Sequence, residues 1–241
     1  MDGAEGSGNN LLAALRPQDR ALLEPGLSAL EAQAGQVLYE PGDVVRTVYF
    51  PCGPALVSFL VVFDDGETVE TALIGREGAV GGIVSRGRLP AFARTVVQHP
   101  GRLLRLPTAR LEAAKDASPA VRSLFARYAD CVMAQMFQAV ACSSRHPIEA
   151  RAARWLLAAQ DRTGSARIPI TQERLAQVLG VGRSYVGRVL AGLGDGGAIR
   201  QHRGAVEIAS ARRLRAASCD CDDAVRAHFE RVLAGVYPEA D

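Results

Sequence analysis

The stretch Ile170–Ile199 reads ITQERLAQVLGVGRSYVGRVLAGLGDGGAI and predicts two short helices joined by a tight turn. Thr171 is a suitable N-cap, because its hydroxyl can accept a hydrogen bond from a free amide of the first helical turn. Gly180 lies where the chain must leave the first helix, a position that favours a residue able to adopt a positive φ angle. The second helix is expected to begin near Gly182 or Arg183. This order of elements is typical of a helix-turn-helix.

The second helix is expected to have a polar outer face. Its apolar residues recur at spacings of three and four and are predicted to point inward: Val186, Val189, Leu190 and Leu193. Arginine can pair with guanine in the major groove of DNA, and serine or tyrosine can reach a phosphate or a base edge. A solvated face on a small helical bundle is the alternative interpretation. The candidate DNA-binding residues of the two helices are Thr171, Gln172, Arg183, Ser184, Tyr185 and Arg188.

Two short strands are predicted after this motif, in AIRQHRGAVEIAS, with HRG at the turn between them. His202 and Arg203 would lie at the tip of this β-wing and approach the phosphate backbone, which positions a protein without reading the base sequence. Before the motif, apolar residues at helical spacing predict a bracing helix that runs from Ile148 to a glycine stop at Gly164.

These features resemble the DNA-binding module of the Crp/Fnr family of bacterial transcription regulators. The resemblance is carried by TQE, LA and LGV in the first helix and turn, and by Arg183, Val186, Arg188, Leu190, Leu193, Gly197 and Ile199 after them. It implies a homodimer that binds double-stranded DNA, responds to a small-molecule effector and acts with RNA polymerase. Ser184 stands where the best-known members carry a glutamate, so the DNA half-site is expected to differ from theirs.

Charge is distributed unevenly, although the formal net charge of the 241 residues is only +2. Residues 145–217 carry 13 Lys and Arg against 5 Asp and Glu, whereas residues 1–144 carry 13 against 15 and residues 218–241 carry 2 against 6. A weakly acidic front joined to a basic segment fits a sensory part followed by a part that binds a polyanion. The acidic tail beyond Cys219 is expected to be solvated.

The bulk composition, 48% hydrophobic and 22% charged, is ordinary for a soluble globular protein. The sequence has no apolar run of about 18 residues, which a transmembrane helix would need. The N-terminal MDGAEGSGNN lacks the basic and apolar blocks of a signal peptide. We therefore expect a cytoplasmic protein with no membrane partner.

Residues 27–107 are predicted to form short antiparallel strands. Segments such as QVLYE, TVYFP, ALVSFLVVF and RLLRLP are β-branched and partly alternating, and PGD, CGP, DDG and HPG punctuate them. Turn signals at roughly 8 to 12 residue spacing favour a sandwich or barrel. Before these strands, LLAALRPQDRALLE predicts a pair of short helices. The order AGQVLYEPGD, VYFP and GETVETALIGREGAVGG resembles the cyclic-nucleotide-binding-like β-roll of the Crp/Fnr family.

The sequence does not identify a ligand for this roll. In cAMP-binding members of the family, a glycine-glutamate pair holds the ribose and an arginine with a serine or threonine holds the cyclic phosphate. Here Gly82 stands at the glutamate position, and the loop that follows is shorter. Candidates for binding another anionic effector are Arg86, Arg88, Arg94 and Thr95. We expect an unknown effector or none rather than cAMP; the alternative is a cyclic-nucleotide-responsive regulator with an altered cassette.

Residues 118–143, SPAVRSLFARYADCVMAQMFQAVACS, predict one long helix, with Ser118 as N-cap and Pro119 at its first position. One stripe repeats at about 3.5 residues, which suits a two-stranded coiled coil; it comprises Val121, Phe125, Tyr128, Val132, Gln135 and Ala139. A second apolar stripe could pack on the roll and comprises Leu124, Met133, Met136, Phe137 and Val140. The resemblance implies that this is a dimer helix, and burial within one subunit is the alternative.

The five cysteines are scattered, and no pair of CxxC motifs occurs. The sequence therefore indicates neither a disulfide framework nor a zinc site. Without a cysteine before Cys52, the N-terminal iron–sulfur cluster of some Fnr-type relatives is not expected either. Cys219 and Cys221 form the one local pair, for which oxidation sensing or soft-metal binding stays open beside a structural role.

No catalytic constellation is recognisable. The four histidines are dispersed, which does not fit the clustered ligands of a metal-dependent enzyme on a cupin-like roll. There is no GxSxG, Walker or dinucleotide fingerprint. We expect neither enzymatic activity nor a cofactor or metal.

Together these patterns predict an α+β fold in three parts. Residues 1–117 form an antiparallel, jelly-roll-like β-roll sensor with N-terminal helices, residues 118–144 a dimerisation helix, and residues 145–241 a winged helix-turn-helix with a C-terminal tail. The predicted function is that of a sequence-specific, homodimeric transcription regulator.

Overall fold

Seven antiparallel strands among the described residues form the predicted roll. The structure is a computed structural model that describes residues 8–84, 86–87 and 89–237. The strands are β1 (Ser28–Ala32), β2 (Val37–Tyr39), β3 (Thr47–Pro51), β4 (Leu56–Val62), β5 (Thr68–Ile74), β6 (Arg94–His99) and β7 (Gly101–Pro107). They form two sheets, in the orders β1-β7-β3 and β2-β6-β4-β5. The α+β fold with an N-terminal roll is therefore confirmed.

The core of the roll is filled by inward-facing strand residues and closed by short helices. The fully buried strand residues include Val48, Phe50, Val57, Leu103 and Leu106. Helices α1 (Asn10–Ala13) and α2 (Pro17–Arg20) precede β1, and α3 (Thr108–Ala117) follows β7. The side chain of Asn9 caps α1 by accepting a hydrogen bond from the Leu12 amide at 3.0 Å. This cap turns the apolar side of α1 onto the core, where Leu11 and Leu12 are buried.

The long helix α4 (Pro119–Arg145) leaves the roll after a capped first turn. The Ser118 hydroxyl accepts a hydrogen bond from the Val121 amide at 3.2 Å, as the sequence predicts for an N-cap. Farther along, the Tyr128 hydroxyl donates to the Ala79 carbonyl at 2.8 Å and accepts from the Ala79 amide at 2.9 Å. These contacts make the first half of α4 part of the roll core.

The predicted assignment of the two α4 stripes is wrong for the first half of the helix. Val121, Phe125 and Tyr128 were expected to face a second subunit, but each is 0% exposed within a single chain. Of the remaining members of that stripe, Val132 is buried, while Gln135 and Ala139 are half-buried. The exposed stripe is drawn from the set predicted to pack on the roll: Met133, Met136, Phe137 and Val140. Helical spacing identifies residues that share a face, but it does not identify the partner that the face meets.

The C-terminal part is a small helical domain with a three-stranded sheet. It contains α5 (Ile148–Thr163), β8 (Arg167–Ile168), α6 (Gln172–Leu179), α7 (Arg183–Asp195), β9 (Ile199–His202), β10 (Ala205–Ile208) and α8 (Ala211–Ala217). The sheet has the order β8-β10-β9, so β9 and β10 form the predicted wing hairpin. Trp155 and Leu156 of α5 are buried at the centre of this domain. The winged helix-turn-helix is therefore confirmed as a fold.

The acidic segment after Cys219 is not a solvated tail. It forms α9 (Cys221–Leu233), which packs back along α4. Phe229 and Leu233 lie against the core of the roll, and the Phe229 ring meets Tyr128 edge-on with the ring centroids 6.3 Å apart. The prediction failed because the acidic residues cluster in the first turn, where they suit the positive end of the helix, and the apolar face comes only afterwards.

The helix-turn-helix domain is docked on the roll by polar contacts. The Trp155 indole Nε1 donates to Glu70 Oε1 at 2.9 Å, and Arg162 Nε lies 2.8 Å from Glu77 Oε1. The Arg174 guanidinium donates to the Val97 carbonyl at 3.2 Å. These contacts place α5 and α6 beside β5 and β6. Within the described residues, no helix combines the length and the apolar composition needed to cross a membrane.

Candidate nucleic-acid interface

Local signals at both ends of α6 build the helix-turn-helix. The Thr171 hydroxyl accepts a hydrogen bond from the Arg174 amide at 3.1 Å and so caps the helix. Gly180 ends the helix at φ +67°, a conformation that glycine adopts without a steric cost. The chain therefore turns at Gly180 and begins α7 at Arg183.

Helix α7 is buried on one side and polar on the other. Its buried residues are Val186, Val189, Leu190 and Leu193. Arg183, Ser184, Tyr185 and Arg188 are exposed. The Arg188 guanidinium carbon lies 5.3 Å from the centre of the Tyr185 ring, a cation–π contact that holds the two side chains together at the surface. A helix anchored on its apolar side with arginines pointing outward has the shape and charge that fit a major groove.

A groove of about 480 Å³ lies between α6, the start of α7 and the wing. Four candidate DNA-binding residues from separate parts of the sequence line it, namely Thr171, Gln172, Arg183 and His202. Gln172 Nε2 donates to Gln201 Oε1 at 3.0 Å, and this bond ties the first helix of the motif to β9. Gln201 was missed by sequence reasoning, because a single glutamine on a short strand carries no local signature.

The wing carries one arginine that pairs with a carboxylate and one that makes no ion pair with the other described residues. His202 Nε2 lies 2.6 Å from Glu207 Oε2, and Arg200 Nη1 lies 3.3 Å from Glu207 Oε1. Hydrogen bonding from His202 holds the pKa of Glu207 below its ordinary value, so this carboxylate offsets part of the positive charge of the wing. Arg203 is exposed at the turn and makes no ion pair with the other described residues. Glu207 was also missed, because it meets His202 and Arg200 only across the hairpin.

Residues 150–217 match the family profile of the Crp-like helix-turn-helix domain. This range takes in nearly all of α5, the helix-turn-helix, the wing and α8. A structure of a Crp/Fnr-family transcriptional regulator from Thermus thermophilus superposes with a TM-score of 0.62 at 20% identity, covering 79% of this chain and 98% of that chain. The chain therefore has the fold of Crp/Fnr-family regulators, and its residues 150–217 match a Crp-like helix-turn-helix domain.

Two other solved structures share the Crp/Fnr fold over most of their length. FixK2 from Bradyrhizobium japonicum has a TM-score of 0.67 at 15% identity, covering 80% of this chain and 98% of that one. The c-di-GMP-responsive global regulator CLP from Xanthomonas campestris has a TM-score of 0.66 at 15% identity, covering 81% and 100%. At these identities the likeness concerns the fold. No curated protein sequence matches the chain.

A cavity of about 500 Å³ lies between the roll and α4. Most of its lining is apolar, including Val61, Val69, Ile83, Phe92, Met136 and Val140. Gly82 also lines the cavity and offers no side chain to a ligand. It stands at the position where the resemblance places a glutamate in cAMP-binding relatives. Arg151 is the cationic residue among the described lining residues, and its Nη2 donates to the Leu179 carbonyl at 3.1 Å.

The candidate effector-binding residues of the roll do not converge. Thr95 is buried and lines the cavity. Arg94 Nε instead pairs with Glu40 Oε2 at 2.8 Å, and Arg86 pairs with Asp116 in an exposed contact outside the cavity. Arg88, the remaining candidate, lies outside the described residues. The described arginines of this set therefore do not form an anion-binding pocket with Thr95.

Proposed function

We propose that this chain is a sequence-specific, DNA-binding transcription regulator that acts as a homodimer. The observation that carries the proposal is the exposed arginine face of α7 beside a wing whose Arg203 is exposed and makes no ion pair with the other described residues. This face lies within a segment, residues 145–217, that has 13 basic against 5 acidic residues. Arginine in a major groove discriminates guanine, whereas a wing cation beside the phosphates positions the domain.

The second half of α4 supports the homodimer. Met133, Phe137 and Val140 are 47%, 67% and 67% exposed on a helix whose other face is already buried. An exposed apolar stripe on a helix is the surface that a two-stranded coiled coil covers. A second copy of α4 is the proposed occupant. In this arrangement Gln135 and Ala139 lie at the margin of the dimer seam, while Val121, Phe125 and Tyr128 remain in the roll.

The lining of the cavity supports an effector other than cAMP. A cyclic phosphate needs cationic or amide donors that converge on it, and the described arginines Arg86 and Arg94 are held by carboxylates elsewhere. The lining favours a ligand with an apolar body. The alternative, a cyclic-nucleotide-responsive regulator with an altered cassette, is tested by calorimetry with cAMP, cGMP and cyclic dinucleotides. Saturable binding of one of these nucleotides would favour the alternative.

The proposed mechanism is a shift between two arrangements of the dimer. The cavity touches β5 of the roll, α4 and Arg151 at the start of the helix-turn-helix domain, so a bound effector would contact both the sensor and the helix that carries the DNA-binding part. An effector that prefers one arrangement changes its population. Two recognition helices would then meet half-sites about one DNA turn apart, with RNA polymerase as the proposed further partner.

The test compares base-reading with phosphate-contacting arginines. Arg183→Ala and Arg188→Ala should each weaken binding to a selected DNA site by roughly 1 to 3 kcal/mol and relax its base preference. Arg203→Ala should weaken specific and random DNA alike and reduce the salt dependence of binding. Arg102→Ala is the matched control, because this arginine is exposed on the roll.

The DNA site is first selected from random oligonucleotides with the wild-type protein, and fluorescence anisotropy then measures each variant. If Arg183→Ala and Arg188→Ala weaken specific and random DNA equally, these arginines do not read bases. If the wild-type protein selects no sequence at all, the proposed function is wrong.

A further inference from the structure

Three cysteines and one histidine meet where the helix-turn-helix domain joins the rest of the chain. Cys142 lies near the end of α4 and His146 directly follows that helix, whereas Cys219 lies between α8 and α9 and Cys221 is the first residue of α9. The ligand atoms of all four residues lie within 4.8 Å of one another. The two pairs are more than 70 residues apart in sequence, so only the packing of α9 back onto α4 brings them together.

We propose that Cys142, His146, Cys219 and Cys221 bind one Zn²⁺ ion in a tetrahedral site of three sulfurs and one nitrogen. Thiolates and an imidazole are the ligands that structural zinc sites use. The site is independent of the proposed DNA-binding role: a chain that binds zinc but selects no DNA would leave this inference standing.

The spacing of the ligand atoms matches such a tetrahedron. Zn–S bonds of about 2.3 Å and a Zn–N bond of about 2.0 Å place two sulfurs about 3.8 Å apart, and a sulfur and the nitrogen about 3.5 Å apart. In the structure, Cys142 Sγ and Cys219 Sγ are 3.7 Å apart, and Cys221 Sγ and His146 Nδ1 are 3.5 Å apart. Two edges of the tetrahedron are therefore already in place. The remaining distances are at most 4.8 Å, so a sulfur–sulfur edge needs to shorten by about 1 Å at most and a sulfur–nitrogen edge by about 1.3 Å at most.

Burial favours a closed structural site that a cation can still reach. Cys142 and Cys221 are buried, whereas His146 and Cys219 are half-buried. Cys219 also lines a shallow surface cavity of about 110 Å³ together with Arg154, Asp220 and Asp222. The half-buried side is the path of entry. Four protein ligands leave no open coordination position, which is the arrangement of a structural rather than a catalytic zinc site.

The charge around the cluster supports a bound cation held by thiolates. A zinc ion with three thiolates and a neutral imidazole carries a net charge of about −1. Arg154 lines the same surface cavity as Cys219, and its Nε is buried without a hydrogen-bond partner among the described residues. A thiolate next to it would accept a hydrogen bond and satisfy this donor, as outer partners of metal ligands commonly do.

Redox sensing is the competing interpretation of the cysteines. A disulfide needs two sulfurs at about 2.05 Å, and the five cysteines of the chain are free thiols. A divalent cation displaces the thiol protons when it binds, and the ligand atoms of all four residues already lie within 4.8 Å of one another. The presence of His146 in the same cluster also favours a cation over a disulfide.

A bound zinc ion would link the two places where the helix-turn-helix domain is attached. One is the junction of α4 with α5, and the other is the junction of α8 with α9. The cation would hold the domain in a defined position relative to α4. Loss of the cation should therefore lower the thermal stability of the whole chain.

The test measures metal in the full-length protein, purified with a thiol reductant and without a chelator. Elemental analysis should find one zinc per chain. After removal of zinc with a chelator, titration with Co²⁺ should saturate at one equivalent with the intense visible bands of tetrahedral cobalt and a near-ultraviolet thiolate-to-cobalt band. Added Zn²⁺ should abolish these bands.

Cys219→Ser removes a half-buried ligand and is the variant least disturbing to packing. Mutation of a residue that only hydrogen-bonds to a metal ligand lowers metal affinity by up to about a hundredfold. Loss of a ligand should cost more, so Cys219→Ser should lower zinc affinity by more than about a hundredfold. Cys142→Ser should do the same, and Cys52→Ser is the control, because Cys52 is a buried cysteine of the roll. Circular dichroism checks that each variant is folded.

Wild-type protein that binds no Co²⁺ at one equivalent would overturn the proposal. So would a Cys219→Ser variant that binds zinc as tightly as Cys52→Ser. A Cys142–Cys219 disulfide found by mass spectrometry in protein purified without a reductant, together with no bound zinc in that protein, would assign the cluster to redox chemistry instead.

Discussion

Replacing Phe137 by alanine should strongly weaken the proposed dimer. The side chain lies in the exposed stripe of α4 and is 67% exposed. Full burial of an aromatic side chain removes about 150 to 250 Å² from water, so a partner helix would cover roughly 100 to 170 Å² of a ring that is 67% exposed. At about 25 cal/mol per Å², this burial stabilises the dimer by about 2.5 to 4 kcal/mol per subunit.

Replacing Phe137 in both subunits should cost less than twice the stabilisation worked out for one subunit. Both subunits of a symmetric dimer change together, but alanine retains part of the contact, and buried area overstates association free energy. We expect Phe137→Ala to cost about 4 kcal/mol per dimer, which is about a thousandfold in the Kd for dimerisation.

Sedimentation equilibrium over a wide range of protein concentrations measures this Kd directly. Leu22→Ala is the control, because Leu22 is also an exposed apolar residue, at 41%, but lies beside the short N-terminal helices. The monomer should keep its fold, since Phe137 makes little contact within its own chain. An unchanged Kd for Phe137→Ala, or an equal weakening by Leu22→Ala, would refute α4 as the dimer surface.

Three further changes probe the roll and its junction with the helix-turn-helix domain. Burial raises the pKa of the Glu70 carboxyl above its ordinary value of 4.5, so the folded state holds this proton more tightly than the unfolded state does. The resulting contribution to the free energy of unfolding is complete below pH 4.5 and is lost as the pH rises through the raised pKa. The unfolding free energy of wild type minus that of Glu70→Gln should therefore fall with rising pH in urea titrations; a constant difference would contradict this. Tyr128→Phe leaves the buried amide and carbonyl of Ala79 without their partner and should cost about 1 to 3 kcal/mol of unfolding free energy; a cost near zero would mean that water replaces the hydroxyl. Gly180→Ala places a methyl group 2.4 Å from Val69 of the roll at φ +67°, whereas Gly164→Ala, at φ +68°, meets open space. Both should lose about 1 to 2 kcal/mol to the backbone conformation, but only Gly180→Ala should also increase hydrogen exchange in β5, and equal exchange in the two variants would argue against the docked arrangement.

The helix-turn-helix could be predicted almost residue by residue because its signals are local. Thr171 caps α6 through its own first turn, and Gly180 ends the helix through its own φ angle. The spacing of Val186 and Leu190 determines which side of α7 is buried. None of these features depends on a distant part of the chain. The N-cap of α4 at Ser118 could be predicted for the same reason.

The faces of α4 could not be assigned in this way. Both stripes of the helix are apolar, and nothing in the spacing of Phe125 or Phe137 states which one meets the roll. Contacts with the roll core determine which stripe is buried, because Phe125 packs on Phe50 and the Tyr128 hydroxyl donates a hydrogen bond to the Ala79 carbonyl. The same limit applied to α9, whose apolar residues needed α4 as a partner before they could be distinguished from a solvated tail.

Sequence patterns alone indicate the strand-rich roll, the long helix α4, the helix-turn-helix with its capped ends, and the concentration of positive charge in residues 145–217. Caps, turns and periodic faces depend on interactions within a few residues, which a sequence states directly. Tertiary packing determines which apolar face of α4 remains exposed, that Arg94 pairs with Glu40, and that Cys142 and His146 meet Cys219 and Cys221. Each of these depends on contacts between residues far apart in the chain, which form only when the elements pack together.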